Sequence, residues 1–183
     1  MRVQGDYARQ GYAHVEELIP PEVADAFLRR LSADLPDLTS RFLAHAPIIR
    51  KTSIDVYAAD YPPMLQFLWG LTPSMRALSG RDMLPTYNYF RLYRKGDICR
   101  VHSDRPACEH SLSLTMGYSD GLTWPLEIGV EPITHAGPIE NDFAGAPYAS
   151  FAMRPGDAVL YRGVQHRHGR VTANPNRWSA HMF

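Results

Sequence analysis

Two short segments carry side chains that could share an ion. Val101-His102-Ser103-Asp104 sets an imidazole and a carboxylate two positions apart. Strand side chains alternate faces with period two, so His102 and Asp104 point the same way. The other histidine-dense segment is Gln165-His166-Arg167-His168-Gly169, in which His166 and His168 likewise share a strand face. One carboxylate and two imidazoles on one side of a metal leave its remaining positions open, an arrangement suited to a non-heme Fe(II) oxygenase centre. An H-x-D triplet alone is weak, because surface and structural roles account for most of them; the distal histidine gives it weight. On spacing, either His166 or His168 could complete the set.

Strands must position these groups. Tyr87, Tyr89, Arg91 and Tyr93 alternate with Asn88, Phe90 and Leu92 and break at Lys95-Gly96-Asp97, which predicts a hairpin carrying H-x-D on its second arm. Ser111 to Met116 alternates, Trp124 to Val130 reads as a strand, and Ala149 to Met153 and Ala158 to Arg162 flank the turn Arg154-Pro155-Gly156-Asp157. Trp178 to Phe183 closes the set. Earlier, Gly11 to Val15 is a short strand, and Pro20-Pro21-Glu22 opens a helix with Ala24, Phe27, Leu28, Leu31 and Leu35 at helical spacing. Residues 39 to 60 are ambiguous: Ser40 to His45 fits a helical turn and Ile48 to Tyr57 looks strand-like. A second helix starts at Tyr61-Pro62-Pro63, is interrupted near Pro73 and finishes at Gly80. Two helices followed by about eight strands predict one mainly β domain over 1–183, helical in 1–80 and β in 84–183, with helices covering one face of a closed or double-sheet structure. Glu131 to Tyr148, rich in Pro, Gly, Ala and Asn, is expected to be a lid over the open side of the metal.

Composition narrows the partners. Nineteen basic and nineteen acidic residues cancel, leaving no net field to draw nucleic acid or an anionic membrane, so a small molecule or short peptide is the expected partner. No apolar run is long enough to cross a bilayer. Met1 to Gln10 carries Arg2, Asp6 and Arg9 in place of a signal peptide's apolar stretch, which makes the cytoplasm the default expectation. Cys99 and Cys108 are too few for a secreted disulfide framework and lack a C-x-x-C pattern, so both are expected reduced.

The order of helices, Tyr93-Arg94-Lys95-Gly96-Asp97, H-x-D, a long gap, Pro155-Gly156-Asp157-Ala158-Val159-Leu160-Tyr161, a histidine, then Arg177-Trp178-Ser179 resembles the Fe(II)- and 2-oxoglutarate-dependent dioxygenases, nearest to their prolyl-hydroxylase-like branch. The resemblance covers most of the chain. It implies a double-stranded β-helix (a jelly roll, cupin-like), Fe(II) held by His102, Asp104 and His168, 2-oxoglutarate as co-substrate, and O2 as oxidant. The implied reaction hydroxylates an amino acid, peptide side chain or related small metabolite with release of succinate and CO2. His168 is preferred to His166 because His-Gly and the nine-residue gap to Arg177 match the family's segment. The resemblance further implies that Arg177, with Ser179 beside it, binds the far carboxylate of 2-oxoglutarate, and that Tyr93 and Tyr118 line its pocket. Halogenating relatives have a small residue where Asp104 stands, so hydroxylation is implied instead. Arg91, Arg105 and His166 are candidate substrate contacts, each with an ordinary structural role as the competing reading. Two other classes stay open: a cupin-type metal enzyme that does not use 2-oxoglutarate, which would leave Arg177 without a role, and a non-catalytic module that binds metal or 2-oxoglutarate.

Overall fold

The computed structural model describes residues 1–183. In chain order it runs β1 (Arg2–Gln4), α1 (Tyr7–Gln10), β2 (Tyr12–Glu16), α2 (Pro21–Asp34), α3 (Leu38–Arg41), β3 (Leu43–Ala44), β4 (Ser53–Tyr57) and α4 (Leu65–Ser79). The strands β5 (Tyr89–Arg94), β6 (Cys99–His102), β7 (Ser111–Tyr118), β8 (Leu126–Gly129), β9 (Tyr148–Phe151), β10 (Ala158–Tyr161), β11 (His168–Arg170) and β12 (Trp178–Met182) follow. They form a major sheet, β1-β2-β10-β7-β12-β5-β4-β3, and a minor sheet, β6-β11-β8-β9, with every pairing antiparallel. No helix is long and apolar enough to cross a membrane.

Period-two alternation divides the major sheet into two working faces. Phe90, Leu114, Met116, Ala158, Ala180 and Met182 point outward and bury Ala24, Phe27 and Leu31 of α2. Each of those larger side chains contributes about 1.5–3 kcal/mol on burial. The opposite face meets the minor sheet, where Val159 and Tyr161 pack on Leu126, Ile128 and Met153. Tyr93, Cys99 and Trp124 fill the other end of this inter-sheet space. The helix α4 passes through Pro73 without a break and ends where Gly80 adopts a left-handed conformation (φ 65°). A proline inside a helix costs about 3 kcal/mol, and Phe67 and Leu71 packed against the main core hold the helix together across it.

Two further expectations need correction. The strands β5 and β6 are not a hairpin, because they belong to different sheets and the turn between them is a corner. Buried Asp97 fixes that corner by accepting backbone N–H bonds from Lys51 (3.0 Å) and Ile98 (2.9 Å). Residues 1–80 are also more than a helical cap: β1 to β4 occupy both edges of the major sheet. The segment expected as a lid meets the free edge of β6 near its middle. Glu140 bridges Val101 there, and Arg167 binds the Glu140 carboxylate (2.6 Å) and the Pro138 carbonyl (3.1 Å). This arrangement satisfies an edge strand that would otherwise expose its backbone.

The Pro155-Gly156-Asp157 turn docks the start of α2. Asp157 accepts from the N–H groups of Glu17 (2.9 Å) and Arg154 (2.8 Å), and Gly156 sits at φ +93° with the Ile19 carbonyl 2.4 Å from where a Cβ would be. Gly156→Ala should therefore destabilise the protein by about 1–3 kcal/mol, read as a lower urea midpoint. Gly137→Ala, which meets nothing within 4 Å, should leave the midpoint nearly unchanged.

Candidate metal centre

Two neighbouring strands of the minor sheet set the geometry. The strands β6 and β11 pair so that His102 and His168 are direct cross-strand partners, with ring centroids 4.4 Å apart. Asp104 lies two residues past His102, in the loop after β6, where its N–H donates to the Gly163 carbonyl (2.8 Å). One donor atom from each of His102, Asp104 and His168 lies within 4.8 Å of the others. Asp104 Oδ1 is 3.9 Å from His102 Nε2 and 3.5 Å from His168 Nε2.

Surrounding groups orient the three donors. His102 Nδ1 lies 2.8 Å from the Arg100 carbonyl and His168 Nδ1 lies 2.9 Å from the His166 carbonyl. Each Nδ1–H thus donates to the backbone, which fixes the tautomer and turns an Nε2 lone pair toward the shared point. Ser111 donates to Asp104 Oδ2 (2.7 Å). A Cβ at Gly163 would sit 2.0 Å from that same oxygen, so only glycine admits the carboxylate. Burial, then the neighbouring His168, push His102 down to about 4. For Asp104, burial pushes the carboxyl up, but His168 and the Ser111 hydroxyl outweigh it and hold it at about 2. At neutral pH His102 is neutral and Asp104 is charged, the forms that bind a metal.

His166 is not part of the cluster. Residues 162–167 form a turn and β11 begins only at His168, so strand parity does not extend upstream to His166. Its Nδ1 bonds the Gly129 carbonyl (2.8 Å) and its ring stands edge-on to Tyr12. The cluster thus contains His168 and not His166.

The remaining candidates are spread over different environments. Arg177 precedes β12 and lies on the surface with its side chain 75% exposed, its Nε 3.2 Å from Asp120 Oδ1 and its backbone N–H donating to Oδ2 (2.7 Å). It does not enter the inter-sheet space, because Asp120 anchors it outside. Ser179 is buried but donates to Asn174 Oδ1 (2.7 Å). Tyr118 donates to the Met153 carbonyl (3.1 Å), and Tyr93 stands edge-on to Trp124 within the same aromatic group. Arg91 does face inward, yet its fork closes on Asp55 (2.8 and 2.5 Å), so its charge is already balanced. It cannot serve an anionic substrate without breaking that pair. Arg105 lies over the Tyr87 ring at 4.8 Å, at the rim of the opening.

One inward residue was missed by the sequence reading. Arg170 stands two positions beyond His168 on β11, is 1% exposed, and donates to the Trp124 carbonyl, Ser113 Oγ (3.5 Å) and His181 Nδ1 (3.2 Å). None of these is a carboxylate. His181 is fully buried, and burial together with Arg170 keeps its ring well below the usual histidine range, hence neutral. Because its Nδ1 accepts from Arg170, its Nε2 carries the proton, and that N–H has no partner. Glu127 acts on Arg170 only at a distance and makes no ion pair with it, so a buried cation without a contacting acid lies beside a buried unspent donor, an arrangement that can receive an anion. The parity rule that singled out H-x-D applies equally to His168-Gly169-Arg170 and could have found it.

A cleft of about 760 Å³ opens on Asp104, walled by α4, residues 81–89 and Phe183. No family model and no curated protein matches the chain. Among solved structures, it is similar over 97% of its length to a Pseudomonas putida prolyl-4-hydroxylase, at 17% identity, a TM-score of 0.64 and 93% coverage of that chain. It is similar over the same share to the non-heme alpha-ketoglutarate-dependent carbocyclase SnoK from nogalamycin biosynthesis (13% identity, TM-score 0.71, 79% of that chain). HygX from Streptomyces hygroscopicus, with nickel and 2-oxoglutarate bound, matches over 96% (11% identity, TM-score 0.66, 82% of that chain). The chain has the fold of these proteins, a double-stranded β-helix whose two sheets do not close into a barrel.

His102→Ala, Asp104→Ala and His168→Ala should each abolish stoichiometric Fe(II) binding, measured by anaerobic metal analysis, while His166→Ala retains it. Gly163→Ala should weaken metal affinity by about 10–100-fold through displacement of Asp104, the scale expected when groups supporting a ligand are disturbed.

Proposed function

We propose that this chain is an Fe(II)- and 2-oxoglutarate-dependent oxygenase that hydroxylates a small molecule or peptide side chain, acting as a single domain over 1–183. The observation that carries the reading is a three-donor cluster with one carboxylate and two oriented imidazoles, one strand repeat from a buried guanidinium that lacks an acid. His102, Asp104 and His168 would hold the iron. Bound there, Fe(II) supplies the redox chemistry that couples O2 and 2-oxoglutarate to oxidation of a C–H bond, giving C–OH, succinate and CO2.

The chain's own residues do the rest. Two residues along a strand span about 6–7 Å, so an acid tethered at the cluster by one end and at Arg170 by the other has the length of a five-carbon dicarboxylate. The Arg170 fork takes the far carboxylate, the role that the resemblance gave to Arg177, and His181 Nε2–H donates beside it. Trp124, whose ring lies under the guanidinium, and Tyr93 exclude water there. The similarity to a structure with nickel and 2-oxoglutarate bound supports this assignment. A cupin-type enzyme that does not use 2-oxoglutarate would leave both Arg170 and His181 Nε2 unanswered.

Succinate should form from 2-oxoglutarate when Fe(II) and O2 are supplied. In anaerobic calorimetric titrations with Fe(II) present, Arg170→Ala should bind 2-oxoglutarate about 10–100-fold more weakly, since a hydrogen bond to a charged group is worth about 1.5–3 kcal/mol. Arg170→Lys should lose less, and Arg177→Ala nothing. Retained metal binding in Arg170→Ala would show that the centre still folds; tight 2-oxoglutarate binding by that variant would return the anchor to another residue.

A further inference from the structure

The cleft in front of Asp104 restricts what the oxygenase proposed above could accept. Its volume of about 760 Å³ falls in the upper half of the roughly 300–1,000 Å³ typical of sites for drug-sized ligands. A free amino acid would leave most of that wall wet. One side is apolar, formed by Phe67, Leu71 and Met75 of α4. The other is a ladder of parallel rings: Phe183 stacks on Tyr89 (5.0 Å, 19°) and Tyr89 on Tyr87 (6.2 Å, 14°). Tyr57, outside the cleft, also stacks on Tyr89 (5.3 Å, 26°) and Tyr87 (6.5 Å, 27°), so the ladder is backed and offers a further ring aromatic contact, edge-to-face included.

The charged groups of the wall are unbalanced. Asp82 is bound to Arg76, and Glu109 lies beside His110 with its side chain 75% exposed. Arg81 and Arg162 also line the cleft, and no carboxylate is bound to either. The Arg162 guanidinium rests over the Tyr7 ring (5.5 Å) and donates to the Ala8 carbonyl (3.2 Å), which holds it on the wall. Its neighbour Gly163 receives the Asp104 N–H, so this cation lies on the side from which a substrate reaches the cluster. Both guanidiniums are near enough to Tyr7 and His110 to act on their ionisation.

We propose that the substrate is a ring-bearing organic acid of roughly drug-like size, its rings against Tyr87, Tyr89 and α4 and its anionic group on Arg162, with Arg81 behind. Two dyes with the same rings test it on the metal-free protein: 8-anilinonaphthalene-1-sulfonate and N-phenyl-1-naphthylamine, which differ in the sulfonate. By fluorescence titration the sulfonate should bind about tenfold or more tightly than the neutral dye, given about 1.5–3 kcal/mol for a charge-assisted contact. Arg162→Gln should remove that advantage and leave the neutral dye unaffected. Met75→Trp, which fills the apolar wall, and Tyr87→Ala, which shortens the ladder, should weaken both dyes. The idea is overturned if neither dye binds, if Arg162→Gln leaves the ratio unchanged, or if both wall variants bind the dyes as the parent does. Rapid substrate-dependent succinate formation with free amino acids would overturn it too. Failure of the oxygenase reading shows separately, as absent succinate formation and absent 2-oxoglutarate binding with Fe(II), because the dyes need neither metal nor co-substrate.

Discussion

The site depends on the antiparallel pairing of β6 with β11. That ladder sets His102 directly opposite His168, and the two residues lie 66 positions apart along the chain (102 to 168). Backbone hydrogen bonds therefore fix a distance between side chains that no local preference could fix. Asp104 is added from the loop that follows β6, and the glycine at 163 leaves room for its carboxylate. Both imidazoles are then locked from behind by carbonyls two residues upstream. Their free nitrogens converge because the backbone consumes the other two.

The rest of the fold maintains this pairing. The α2 and α4 helices cover the outer face of the major sheet, so its inner face is free to meet the minor sheet. Asp97 and Asp157 play similar parts at two corners, each accepting two backbone N–H groups across a turn. Glu140, within the segment from Glu131 to Tyr148, bridges the outer edge of β6, the strand that carries His102.

Charge is distributed unevenly inside. Arg91 and Arg170 both point between the sheets, but only Arg91 has an acid, Asp55, and the pair neutralises it. Arg170 rests on a carbonyl, a hydroxyl and a neutral imidazole. Burying a cation in that way is costly unless an anion completes the set.

Much of the fold class and the three side chains that cluster was legible in the sequence. Alternation identified the β-rich half, and Pro21 and Gly80 marked helix ends, because each of these rests on local periodicity or on a single residue's conformational range; H-x-D named two donors of the cluster, but Asp104 reaches it from the loop after β6 and not by strand parity. His168 required the tertiary structure for its assignment over His166, since the start of β11 decides where parity begins. The surface position of Arg177 was likewise illegible: nine residues after His168 is a matter of spacing, whereas its pairing with Asp120 is a matter of where the chain enters β12. The separation of β5 and β6 into two sheets and the inward charge of Arg170 also came only from long-range pairing. Short-range preferences determine which residues form strands and helices; which side chains meet is decided by backbone ladders and burial between segments far apart in the chain.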